Sequence, residues 1–172
     1  MFELNKTERE IINVFMEHEL ASDTYKYRTN NTIVVIESAI PKKQVLNDYL
    51  SFIRNYKESL IDSLQSVKMK NEFEKEQQYY WCQHDFKIKN LQIQSRENFE
   101  KTIKTEKYFH LPKRIIFHLS VPIIINDKGA LISFISGEGD LGYTLINSGT
   151  ILITKNNKNQ WAFSQFLGSR HM

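Results

Sequence analysis

Cys82-Gln83-His84-Asp85 is the only place in the chain where a thiol, an imidazole and a carboxylate stand together. Catalysis by a cysteine nucleophile needs a thiolate with a base in hydrogen-bond reach. On an extended backbone Cys82 and His84 share a side, which allows such a contact. The ordinary alternative is a buried, inert thiol, because Trp81 and Phe86 stand close by in sequence and free cysteine is among the most buried residue types. A structural Cys82 beside a surface His84 is the expectation here.

Gly137-Glu138-Gly139-Asp140-Leu141-Gly142 matches the spacing G-x-G-x-x-G. The dinucleotide-binding version needs a strand, the glycine turn, then a helix whose N-terminus meets phosphate. Tyr143 to Ile146 read instead as strand, so a turn or bulge between paired strands is expected. If the turn is a site, Glu138 and Asp140 favour a cation or a basic partner over phosphate. His18, His84, His110 and His118 are too scattered to suggest zinc, which wants clustered ligands, and no metal or other cofactor is expected. Lys101, Lys104, Lys107, Lys113 and Arg114 interleave with Phe99, Tyr108, Phe109 and His110. Single-strand binders use such mixtures. Glu100 and Glu106 dilute the charge, and a nucleic-acid partner is not expected. Tyr79, Tyr80 and Trp81 are the aromatic residues best placed to anchor a protein partner, provided that they are exposed.

The chain of 172 residues carries 23 Lys plus Arg against 20 Asp plus Glu, a net charge of +3. That length fits one domain with a self-sufficient core. Hydrophobic residues at 41% and charged residues at 25% argue against disorder. No apolar run approaches the ~20 residues of a membrane helix. A single cysteine excludes an intramolecular disulfide. The last residues, Leu167 to Met172, read as vector-derived tail, so the expected domain is 1–166. The N-terminus shows no signal peptide, although Met1 would also stand there if an export segment had been removed.

The elements that must position these residues are legible from periodicity. Asn5 to Leu20 predicts an amphipathic helix with Asn5 or Thr7 as cap. Thr32 to Glu37 predicts a buried strand. Pro41 opens a helical pattern that runs through Leu46, Tyr49, Ile53, Tyr56, Leu60, Leu64 and Val67, with a break near Asn55 or Ser59. Phe86 to Ile93 alternates and predicts a strand; Ser95 to Lys104 predicts a short helix with Phe99 and Ile103 inward. Strands are expected over Arg114–Val121, Ala130–Ser136, Gly142–Ile146, Gly149–Lys155 and Trp161–Phe166, with Pro122 limiting pairing after the first. The fold class is α+β, with N-terminal helices packed on a C-terminal antiparallel β-meander of about four to six strands in all.

The C-terminal part resembles a group of uncharacterised bacterial envelope proteins. The resemblance rests on Ile115-Ile-Phe-His-Leu-Ser120, Pro122 to Ser136, the glycine turn and Gly149 to Trp161. Members often place two cysteines around the turn, where Glu138 and Leu141 stand here; a glycine precedes their tryptophan, where Gln160 stands here. No bridging or redox role carries over. The resemblance implies an α+β fold and a periplasmic or lipid-anchored bacterial protein without its export segment, with a cytoplasmic location as the alternative. The leading functional expectation is a non-catalytic interaction protein, of which an immunity-type inhibitor is one form. The alternative is a small hydrolase or ligand-processing enzyme using Cys82, His84 and Asp85 or the acids of the turn. The oligomeric state is not written in the sequence.

Overall fold

A computed structural model describes residues 3–26, 32–53, 59–105, 114–138 and 144–168. Helix α1 spans Lys6–Ala21. Asn5 accepts from the Glu8 amide at 2.9 Å and Glu8 accepts from the Asn5 amide at 3.0 Å, a reciprocal cap that satisfies two orphan donors. Ile11, Ile12, Phe15 and Met16 form its buried stripe. Strand β1 (Thr32–Ile36), helix α2 (Lys42–Ile53), helix α3 (Ser63–Phe73), a 3₁₀ turn (Gln83–Asp85), strand β2 (Leu91–Gln94) and helix α4 (Arg96–Ile103) follow. Then come β3 (Arg114–Leu119), β4 (Ile123–Asn126), β5 (Gly129–Glu138), β6 (Thr144–Lys155) and β7 (Trp161–Gly168).

The architecture is α+β, with a single seven-stranded sheet in the order β2-β1-β3-β5-β6-β7 and β4 also paired to β5. The C-terminal strands are antiparallel, as the meander requires. The sheet as a whole is mixed, because β1 runs parallel to both β2 and β3. This corrects the expectation of a wholly antiparallel sheet of four to six strands. The run TIVVI is buried on both sides, which suits an inner parallel strand and leaves no alternation to betray its neighbours.

Side chains alternate along each strand, so the sheet has two distinct faces. Val35, Ile115, Phe117, Ile132, Phe134, Ile151 and Ile153 meet α1, Tyr25, Trp81 and Phe86 on one face. Leu131 and Leu152 meet Val45, Leu46 and Tyr49 of α2 and Met69 of α3 on the other. Val34, Ile36 and Ile116 meet Phe99 of α4. The sheet is thus a middle layer between α1 and the remaining helices.

Four expectations are corrected by particular contacts. Pro122 does not end pairing: β3 and β4 follow one another along β5, on either side of Ser120-Val121-Pro122. Ser120 fills the break, its Oγ accepting from the Ser133 amide at 2.9 Å. Gly142–Ile146 and Gly149–Lys155 are not separate strands, since β6 runs unbroken through Asn147 and Ser148. Of the expected strand Phe86–Ile93, only Leu91 onward is strand, as β2; Phe86 to Asn90 is not. Phe86 is buried, but the backbone beside it is satisfied by the Asn13 side chain, which accepts from the Lys87 amide at 2.7 Å and donates to the Asp85 carbonyl at 2.8 Å. The fourth concerns the long helical pattern. Asp62 starts α3 by accepting from the Gln65 amide at 2.7 Å, which resets the helix phase. Met69 turns inward, and Leu60, Leu64 and Val67 turn outward rather than toward the core.

Strand β7 extends beyond the expected end of the domain at 166. Leu167 is buried with Leu46 and Leu152, and Gly168 pairs with Thr150. A Cβ at Gly168 would lie 2.6 Å from the Phe52 ring, and its φ of +146° is one that side chains rarely adopt. Among the described residues no helix is long and apolar enough to cross a membrane.

Candidate functional site

The stretch from Tyr79 to Asp85 returns from α3 to the sheet along the end of β1. The Ala39 amide donates to the Tyr79 carbonyl at 3.0 Å, and the Trp81 amide to the Glu37 carbonyl at 2.7 Å. This short antiparallel pairing alternates its side chains. Tyr79 and Trp81 go inward, edge to face with centroids 5.2 Å apart, and the Trp81 indole donates to the Leu119 carbonyl at 3.3 Å. Tyr80 and Cys82 go outward. Of the three aromatics that could anchor a partner, only Tyr80, at 59% exposed, offers its ring to solvent. Cys82 is exposed, not buried, because the same alternation spends the inward position on Trp81.

The 3₁₀ turn then folds Asp85 back onto this segment. Its Oδ2 accepts from the Tyr79 hydroxyl at 2.9 Å, the Cys82 amide at 3.0 Å and the Cys82 thiol at 3.3 Å. Arg9 Nε of α1 lies 3.9 Å from Oδ1. The Asp85 side chain is 2% exposed, so its charge depends on these donors. Burial pushes the Tyr79 phenol well above its ordinary range, and the Asp85 hydrogen bond and charge add to that. The Cys82 thiol is also pushed up, first by partial desolvation of its sulfur within an otherwise exposed residue and then by the Asp85 hydrogen bond and charge. The effect is to keep both groups protonated, as donors to the carboxylate.

Beside this cluster lies a cavity of about 450 Å³, lined by Glu3, Arg9, Tyr79, Tyr80, Cys82, His84 and Asp85. The sequence pointed to five of these seven; Glu3 joins from the segment before α1 and Arg9 from its first turn, and nothing in their local sequence signals it. The cluster therefore does come together, in a different order of roles. Asp85 orients the thiol and the phenol, not the imidazole. The exposed His84 ring makes no hydrogen bond among the described residues. A reactive thiol needs its proton withdrawn by a base or a cationic neighbour, and here the nearest titratable partner of Cys82 is an anion. Among the described residues no group of three or more His, Cys, Asp or Glu could hold a metal ion.

The strands that flank the glycine-bearing segment pair antiparallel, Gly137 with Leu145 and Glu138 with Thr144; residues 139–143 lie outside the described residues. A helix does not follow it, as expected from the residues after Gly142. Glu138 ends β5, half-buried; Asp140 lies outside the described residues. So do Lys107, Tyr108, Phe109, His110 and Lys113 of the basic stretch. Lys101 is paired with Glu97, and Arg114 is buried, so neither adds a free surface cation.

No protein-family model, curated protein or solved structure matches the chain.

Proposed function

We propose that this domain is a non-catalytic binding protein that docks on another protein through the outer face of α3. The observation that carries this reading is an apolar stripe turned to solvent. Leu64 is 83% exposed and Val67, one turn on, is 57% exposed; Leu60, in the lead-in to the helix, is 47% exposed. Each large apolar side chain buried by a partner contributes about 1.5–3 kcal/mol. Lys68 and Lys70 flank the stripe, giving it the polar rim usual around an interface centre. The protonated thiol of Cys82 supports the same reading, since it works against a cysteine nucleophile. An inhibitor of the immunity type acts in this manner, by docking alone. The resemblance of the C-terminal part to envelope proteins supports a periplasmic or envelope location.

The test is affinity capture from an extract of the source organism with the wild-type chain and with a Leu64→Asp, Val67→Asp variant. A stoichiometric protein held by the first and lost by the second supports the reading. Capture by both, or by neither at low and moderate salt, defeats it. The hydrolase reading has the 450 Å³ cavity in its favour; an activity that survives Cys82→Ser would remove the thiol from it.

A further inference from the structure

The 450 Å³ cavity beside the Tyr79–Asp85 loop is lined by two opposite charges that do not close on each other. Asp85 Oδ2 already takes the Tyr79 hydroxyl and the amide and thiol of Cys82. Oδ1 takes no hydrogen bond among the described residues, since Arg9 Nε stands 3.9 Å away, beyond hydrogen-bond reach. Oδ1 is not sealed off either, so the 2% of the Asp85 side chain that is exposed includes it. A buried carboxylate is thus held in place through one oxygen and offers the other to the cavity.

Arg9 supplies the opposite charge. Its Nε is closed to solvent and meets no ligand. The outer nitrogens differ. Nη2 donates to the Leu4 carbonyl at 3.4 Å, and Nη1 makes no hydrogen bond among the described residues, yet is not sealed, in a side chain 42% exposed. Arg9 and Asp85 both line the cavity, so Nη1 and Oδ1 are both within reach of an occupant.

The charges select the ligand. Glu3 also lines the cavity, exposed, and two carboxylates against one guanidinium leave it net negative; the exposed His84 ring adds a further hydrogen-bonding group. A simple anion would meet both carboxylates, and a simple cation would meet the guanidinium next to Asp85. A zwitterion with its two charges on neighbouring groups answers both, through a charge-assisted hydrogen bond at each end. Tyr80, an exposed aromatic ring on the same cavity, gives an aromatic side chain a surface to pack on. The volume lies within the usual range for small-molecule sites.

We propose that this cavity binds a free α-amino acid with an aromatic side chain, its ammonium on Asp85 Oδ1, its carboxylate on Arg9 Nη1 and its ring against Tyr80. The proposal does not rest on the docking face of α3.

The test uses the full chain, ¹⁵N-labelled, titrated with L-phenylalanine, with phenethylamine, which lacks the carboxylate, and with hydrocinnamate, which lacks the ammonium. L-Phenylalanine is expected to move the amides of Arg9, Tyr80, Cys82 and Asp85 saturably. Each analogue is expected to bind there about tenfold more weakly, since each forgoes a charge-assisted hydrogen bond. Arg9→Met is expected to bring L-phenylalanine down to the affinity of phenethylamine. Tyr80→Ala, at an exposed side chain, is expected to weaken all three ligands about threefold; it keeps the test decisive if Arg9→Met does not fold. L-Phenylalanine shifts that are absent or map elsewhere, an analogue that binds as tightly as the amino acid, or L-phenylalanine binding unchanged in Tyr80→Ala would each overturn the proposal.

Discussion

The Tyr79 hydroxyl donates to Asp85 Oδ2 at 2.9 Å, and the amide and thiol of Cys82 converge on that same oxygen. One carboxylate oxygen thereby closes a seven-residue loop on itself and fixes its place against α1. Replacing Asp85 with Ala would strand a buried phenol and an amide at once. The expected cost is about 3 kcal/mol, the range for breaking hydrogen bonds to a buried charge. Asp85→Asn, which keeps an acceptor, should lose less. Urea unfolding checks both; a midpoint for Asp85→Ala equal to wild type would show the loop is held by something else.

The same oxygen sets the behaviour of the thiol. Burial and Asp85 push the Cys82 pKa up, so alkylation by iodoacetamide should accelerate only above the ordinary thiol range of about 8.5. Asp85→Asn removes the charge and should move the rate profile to lower pH, while burial keeps part of the shift. The raised Tyr79 and Cys82 groups also fix the sign of the alkaline limb of stability. They hold their protons more tightly folded than unfolded, so their contribution is complete below the unfolded pKa values and is lost as pH rises through the folded ones. A wild-type alkylation profile that turns up near neutrality would reverse the structural role given to Cys82.

Elements that bury one face by a regular period could be read from the chain, and elements defined by partners distant in sequence could not. The Asn5–Glu8 cap, the Ile11–Met16 stripe of α1 and the strands β5 and β7 carry their own local signals. The parallel placement of β1 beside β3 does not, because a strand buried on both faces has no alternation. Phe86 to Ile93 alternates like a strand, yet strand begins only at Leu91, and near Phe86 the Asn13 side chain of α1 supplies hydrogen bonds a neighbouring strand would have given. At the site, the Cys82–Asp85 cluster was visible as residue types. Which partner Asp85 takes was not, since Tyr79 and Cys82 meet it through a 3₁₀ turn, and Arg9 arrives from a helix far away in sequence. Arg114 looked like one cation of a basic stretch; only its strand register turns it inward.

Leu167 provides a direct check on where the folded domain ends. It is buried in the α2 side of the core, although the composition of the last six residues reads as a tail. Leu167→Ala is expected to cost about 2–4 kcal/mol, as for other buried leucines. By contrast, Leu64→Asp should leave stability within about 0.5 kcal/mol, because the side chain is exposed and an acid in the first turn of α3 suits the helix dipole. Thermal unfolding of the two variants side by side separates them. Equal melting temperatures would mean that one of the two is misplaced.

Glu19 offers the clearest dependence on pH. It is buried where α1 meets the β5–β6 hairpin, and Asn147 Nδ2 donates to its Oε1 at 3.4 Å. Burial raises its pKa above the ordinary carboxyl value of 4.5, and the Asn147 hydrogen bond only partly offsets this. The folded state therefore binds the proton more tightly than the unfolded state does. That contribution is complete below the unfolded pKa and disappears as pH rises through the folded one, so the charged Glu19 is a burden at neutrality. Glu19→Gln keeps an acceptor for Asn147 and carries no charge at any pH. It should unfold at higher denaturant than wild type near pH 7, and the gap should close below about pH 4, where the wild-type carboxyl is protonated in both states. A gap of constant size across that range would mean that the substitution acts through packing; a Glu19→Gln protein less stable at neutrality would mean that the carboxylate is fully compensated where it lies.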